Sequence, residues 1–112
     1  GVFPDLVSLH ADGIASHEAA EQLAIERTLG GDSARPPLLR MKDSHGDLGA
    51  ASMPVEFLAC SAALKRAILP RAVSNRSHHA PAAMRRALVI SLGLFGECAA
   101  LMLEASGSVN EN

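Results

Sequence analysis

The sequence predicts an α/β domain built on a mixed β-sheet, with elements in the order β-α-β-α-β-β. Three observations predict it. Short apolar runs bounded by Pro, Gly and Asp recur along the chain: LVSLH, PLLRM, ALVIS and CAALML. Two longer stretches between them carry helical spacing. The last two runs lie close enough in sequence for a hairpin. Strands that alternate with helices imply a layered arrangement. Because the runs do not alternate polar with apolar, the strands are expected to be buried on both faces. Two helices cover such a sheet incompletely, so an outside partner surface is expected.

Residues 6–10 read as the first strand, bounded by Pro4 and by Ala11-Asp12-Gly13. Gly13 turns the chain with a positive φ. Ser16 is the expected N-cap of the first helix, its hydroxyl accepting from an otherwise unpaired backbone N–H. Glu18 and Glu21 place negative charge where the helix dipole favours it. Ala20, Leu23, Ala24 and Ile25 form the expected buried side, and Gly30-Gly31 ends the helix. Residues 37–41 read as the second strand, running into a loop over 42–49. The second helix is expected from Ser52, with Pro54 tolerated in its first turn. Phe57, Cys60 or Ser61, Leu64 and Ile68 recur at helical spacing. Lys65 and Arg66 suit its C-terminal dipole, and Pro70 stops it. Residues 71–83 are polar and irregular. ALVIS and CAALML then form a hairpin with its turn near residues 94–97. Residues 1–105 are expected to be one domain and 106–112 a frayed tail.

A chain of 112 residues allows one small domain or a fragment of a larger one. Aromatic residues make up only 3%, so aliphatic side chains must do the packing. A net charge of −2 offers no basic face for nucleic acid. No apolar run approaches the roughly 20 residues that span a bilayer. No basic n-region of a secretory signal is visible, and a cytoplasmic location is expected. Cys60 and Cys98 both sit in apolar runs and are expected to be buried free thiols. The chain begins at Gly1 rather than Met, so it is expected to be a processed, cloned or cut piece of something longer.

His10 ends a buried strand, the place where an open sheet presents functional side chains. A structural histidine at a strand end is the alternative. His45 stands beside Lys42 and Asp47, and a nearby cation lowers a histidine's pKa and keeps the ring neutral. The alternative there is a plain polar loop. His17 is expected to face solvent on the first helical turn. His78 and His79 have no Cys or carboxylate at ligand spacing, so no metal is expected. Asp12, Glu18, Asp43 and Asp47 read as solvated or capping groups. No serine shows a nucleophile elbow. Gly46 and Gly49 do not form a phosphate loop, since Lys42 precedes them.

Three segments, in order, resemble the C-terminal half of a β-ketoacyl synthase. LVSLHADGIASHEAAEQLAI is similar to the family's strand, His-Gly-Thr-Gly-Thr turn and helix, and places the first family histidine on His10. The turn departs from the pattern as Ala11-Asp12-Gly13-Ile14. MKDSHGDLGAAS resembles Lys-x-x-x-Gly-His-x-x-Gly-Ala-Ala-Gly. Fixing the match on Leu48-Gly49-Ala50-Ala51 places the second histidine on Gly46 and the lysine on Met41. A gapped alternative, with an extra residue before Leu48, places them on His45 and Lys42. SLGLFGECAALML resembles the Ser-Phe-Gly-Phe-Gly-Gly-Thr-Asn turn, with Gly93, Leu94, Phe95 and Gly96 as the turn beside the substrate tunnel. The family's gating phenylalanine falls on Leu94.

The resemblance implies a thiolase-like fold, of which this chain is the second half of an αβαβα unit. It implies no cofactor: acyl groups arrive on the phosphopantetheine of an acyl carrier protein. The nucleophilic cysteine lies in the family's first half, so a ketosynthase or N-terminal-half chain is the implied partner, in a hetero-oligomer. The family condenses an acyl-cysteine with a decarboxylated malonyl thioester, using two histidines and backbone donors to stabilise developing negative charge. The degenerate motifs are similar to those of chain-length-factor subunits of fatty-acid or polyketide synthases, which shape a partner's acyl tunnel. Two alternatives stand beside this expectation. One is part of an active synthase, with His10, His45 and Lys42 catalytic and Lys42 tuning His45. The other is a non-enzymatic α/β interaction module.

Overall fold

In the computed structural model, a four-stranded mixed sheet runs in the order β2-β1-β3-β4. Residues 3–31, 35–66, 68, 84–93, 95 and 97–106 are described, except for the side chain of His45. The elements are β1 (Leu6–Ser8), α1 (Ala15–Leu29), β2 (Leu38–Leu39), a one-turn α2 (Lys42–His45), α3 (Ser52–Arg66), β3 (Arg86–Leu92) and β4 (Cys98–Glu104). A 3₁₀ turn (Gly49–Ala51) leads into α3. β1 pairs in parallel with β2 and with β3, and β3 pairs antiparallel with β4. The order of the major elements is the expected one, and the hairpin falls where its two apolar runs placed it.

Alternation along each strand divides the core between two faces. Leu6, Leu39, Ala87 and Val89 point towards α3 and pack with Cys60, Ala63 and Leu64. Val7, Leu9 and Leu38 point the other way and pack with Ile25 and Leu29 of α1. The sheet therefore lies between α1 and α3. Burying one such aliphatic side chain contributes about 1.5–3 kcal/mol, which is why these short strands persist.

Several details differ from the sequence reading. α1 begins two residues earlier than a Ser16 cap allows. Ile14 takes the N-cap position without a side-chain cap bond. Glu18 reaches back instead and accepts from the Gly13 N–H at 2.9 Å. The buried stripe of α1 is Glu21, Ile25 and Leu29, while Ala20, Leu23 and Ala24 are exposed. Gly13 (φ +86°) and Gly30 (φ +87°) turn the chain at either side of α1, as expected. The 42–49 stretch is helical at both ends rather than a plain loop. The Ser52 hydroxyl does not cap α3; it accepts from the Leu48 N–H at 2.8 Å. In α3 the buried positions include Glu56, which was not among those expected, whereas Phe57 is half-buried and Ile68 is exposed beyond the helix.

β1 and β2 are buried, but β4 is not. It forms one edge of the sheet, and Leu101 and Met102 are exposed on it. Cys98 is exposed there as well, against the expectation of a buried thiol, while Cys60 is buried as expected. Both cysteines are free. Pro70, the 71–83 stretch with His78 and His79, and the 107–112 part of the expected tail lie outside the described residues. No helix among the described residues is long and apolar enough to cross a membrane.

Candidate functional site

Because β1, β2 and β3 run in parallel, their carboxyl ends meet at one end of the sheet, where open α/β sheets place their functional groups. His10 follows β1 by two residues, Lys42 follows β2, and Gly93 follows β3 directly. The fold thus gathers at one end three segments that are far apart in sequence.

The turn after β1 is held by a buried carboxylate. Glu21, on the inner side of α1, accepts from the His10 N–H at 2.6 Å and from the Ala11 N–H at 3.0 Å. Ala11 has φ +34°, a region that L side chains seldom adopt, and the paired bonds to Glu21 keep it there. Burial raises the pKa of Glu21, and the two backbone N–H donors oppose that rise without cancelling it.

Both ring nitrogens of His10 are engaged. The Leu92 N–H donates to Nδ1 at 3.2 Å, which makes Nδ1 the acceptor and leaves the ring proton on Nε2. Nε2 in turn meets Oδ2 of Asp12 at 2.9 Å. The same oxygen receives Nδ1 of His17 at 2.8 Å, while Oδ1 accepts from the Ile14 N–H at 2.9 Å. The Asp12 side chain is only 4% exposed. Burial works against its ionisation, but the bonds from Ile14, His17 and His10 outweigh burial and bring its pKa down to about 2. His17 is therefore not the solvent-facing residue the sequence suggested, nor is Asp12 merely solvated.

Lys42 points inward and pairs with Oε2 of Glu56 at 2.8 Å, with side chains 5% and 1% exposed. Lys42 and His10 both lie within electrostatic reach of Glu21 and of Asp47. Asp47 accepts from the Gly49 N–H at 2.9 Å, and this bond is the main cause of its lowered pKa. Arg40 forks onto Glu18 at 2.9 and 2.8 Å, tying the end of β2 to the start of α1, and also reaches Asp43 at 2.8 Å. The Arg40 bond is the leading cause of the lowered Glu18 pKa.

Of the residues singled out in the sequence, His10, Lys42 and Gly93 converge at this end. His45 closes α2, and Gly46 follows it with φ +76°. Phe95 is 93% exposed in the hairpin turn, whereas Leu94 and Gly96 lie outside the described residues. Sequence reasoning missed the roles of Asp12, His17, Glu21 and Glu56. The two glutamates carried a signal: each sits four residues before an apolar member of a buried helical stripe, Ile25 in one case and Cys60 in the other. A carboxylate in such a stripe requires a donor or cation from another element.

The fold and site define an α/β protein with a closed histidine–carboxylate network at the carboxyl end of its sheet. Such a network can orient an imidazole, share protons or hold a cation. Compared with protein-family models, curated proteins and solved structures, the chain matches none.

Proposed function

We propose that the chain is a ketosynthase-like subunit or fragment with a thiolase-like fold, similar to a chain-length factor. In this reading it works with a companion chain that carries the first half of the unit and the nucleophilic cysteine. It shapes the acyl tunnel of a fatty-acid or polyketide synthase without turnover of its own. The observation that carries the reading is the closed state of His10. The sequence resemblance assigns it to the family's first histidine, yet its Nε2 is directed to Asp12 and its Nδ1 to Leu92. No N–H of the ring remains for a thioester carbonyl, which a condensing enzyme must supply.

Two further observations support it. Lys42 is taken up by Glu56 in a buried pair. An apolar groove of about 340 Å³ runs from the site between α1 and the hairpin, lined by Ile25, Leu88, Ile90, Leu92 and Ala100 among others. A groove of this size and character suits a hydrocarbon chain better than a polar substrate.

The test is native mass measurement of the purified protein, followed by kinetics on the reconstituted complex. The expected companion has roughly 200–300 residues on domain-size grounds. His10→Ala is expected to leave the condensation rate of the complex within about twofold, since only an interaction made in the transition state changes the chemical step. A loss on the order of a hundredfold, the scale of a removed oxyanion donor, would instead identify an active condensing enzyme. A lone monomer without a ketosynthase-type companion would leave an interaction module and overturn both.

A further inference from the structure

We propose that His10, Asp12 and His17 form a binding site for one divalent transition-metal ion of the zinc class, with His10 Nε2, Asp12 Oδ2 and His17 Nδ1 as the protein ligands. The three ligand atoms all lie within 4.8 Å of one another. The inference concerns metal binding alone and does not depend on the ketosynthase-like reading.

The geometry fits once the two rings turn about the shared carboxylate oxygen. Zinc–nitrogen and zinc–carboxylate distances near 2.0–2.2 Å set neighbouring ligand atoms in a tetrahedral site about 3.3 Å apart. The imidazole nitrogens now stand 2.9 and 2.8 Å from the shared Asp12 oxygen and within 4.8 Å of each other, so each ring has to withdraw from the oxygen by about half an ångström and swing until the two nitrogens are about 3.3 Å apart. The two rings are 5.8 Å apart between centroids and tilted by 54°, so they are not stacked against each other. Three protein ligands leave a fourth position open, the count typical of a reactive rather than a purely structural zinc site.

The supporting shell is already built. Asp12 is oriented by the Ile14 N–H, and the His10 backbone is anchored by Glu21. Such outer bonds fix the direction of metal ligands. The neighbouring Glu18 carboxylate is engaged by Arg40. His17 stands in the first turn of α1 and Asp12 just before it, so the ligand set comes from one short stretch of chain.

Proton accounting makes the proposal specific. In the metal-free site each imidazole directs a nitrogen to the same carboxylate oxygen. A bound cation takes the place of those hydrogen bonds, and each ring carries its remaining proton on the other nitrogen. For His10 that nitrogen is Nδ1, which then cannot accept from Leu92. The Leu92 contact is, at 3.2 Å, the longest in the cluster, and it lies at the last residue of β3 beside the turn. Metal binding therefore moves the Leu92 amide.

The experiment uses the full chain after chelator treatment. It is titrated with Zn²⁺ by calorimetry and with Co²⁺ by visible absorption, and the Leu92 amide is followed by NMR. The parent chain is expected to take up one equivalent with a tetrahedral Co²⁺ spectrum and a shifted Leu92 amide. His17→Ala and Asp12→Asn are each expected to weaken binding about tenfold or more, the scale seen even for outer-shell changes. A H78A/H79A double variant controls for adventitious binding and is expected to behave as the parent. If Asp12→Asn does not fold, the His17→Ala result decides, because that ring is partly exposed and its loss leaves the core intact. No saturable binding, equal affinity in His17→Ala, or loss of binding in H78A/H79A would each overturn the site.

Discussion

The backbone N–H of Leu92 donates to Nδ1 of His10 at 3.2 Å, joining residues 82 positions apart in sequence. This bond connects the end of β3 to the turn after β1 and fixes which nitrogen of His10 carries the proton. It also holds the end of β3 against the histidine, so a change in either is felt by the other.

The Lys42–Glu56 pair is the most deeply buried ion pair among the described residues. Removing one partner leaves the other charged and without a counter-ion in the core. Lys42→Met or Glu56→Gln is expected to cost about 3–5 kcal/mol, read as a lower denaturation midpoint. The K42M/E56L double variant removes both charges and is expected to recover most of that loss. A single variant as stable as the parent would show that the pair does not hold α3 to the end of β2.

The two thiols are expected to behave differently. Cys60 is buried, and burial, followed by the nearby Glu56 charge, pushes its pKa up to about 11. Cys98 is exposed on β4. Alkylation of the native chain near pH 8, followed by intact mass, is expected to add one label, and alkylation in denaturant two. The raised pKa of Cys60 also sets a sign for stability. Its contribution is complete below the ordinary thiol value of 9.0 and is lost as pH rises from there through about 11. Over that window the parent should lose roughly 2 kcal/mol more than Cys60→Ala. Equal alkaline slopes for the two proteins would refute the assignment.

Gly93 donates its N–H to the Glu97 carbonyl at 2.7 Å and closes the hairpin. A methyl group at Gly93 would run into the Glu97 side chain, whose Oε1 accepts from the Phe95 N–H at 3.0 Å. Gly93→Ala is expected to cost about 1 kcal/mol by displacing that side chain. In a thermal-melt cycle with Glu97→Ala the two changes should be less than additive, with a coupling of at least about 0.5 kcal/mol. Full additivity would mean that Glu97 is not what the methyl meets.

Much of the fold was legible in the sequence because its signals are local. Apolar runs, the glycines at 13 and 30, and the break between ALVIS and CAALML each act over a few residues, and each produced the element it implied. His10 was also legible, since a histidine closing an apolar run has to emerge at a strand end. The exposure of Cys98 was not, because an apolar run reads the same whether its strand is central or at an edge. Only the order β2-β1-β3-β4 placed it at the edge.

The sequence by itself determined an α/β chain of alternating strands and helices ending in a hairpin, since propensity and turn chemistry are properties of neighbouring residues. The tertiary structure alone decided the site. Parallel pairing brought the ends of β1, β2 and β3 together and gave His10 the Leu92 N–H, while the packing of α1 and α3 gave Glu21 its backbone donors and Lys42 its carboxylate. A polar group's role depends on the partner it meets after burial, and here those partners come from other turns and elements of the chain.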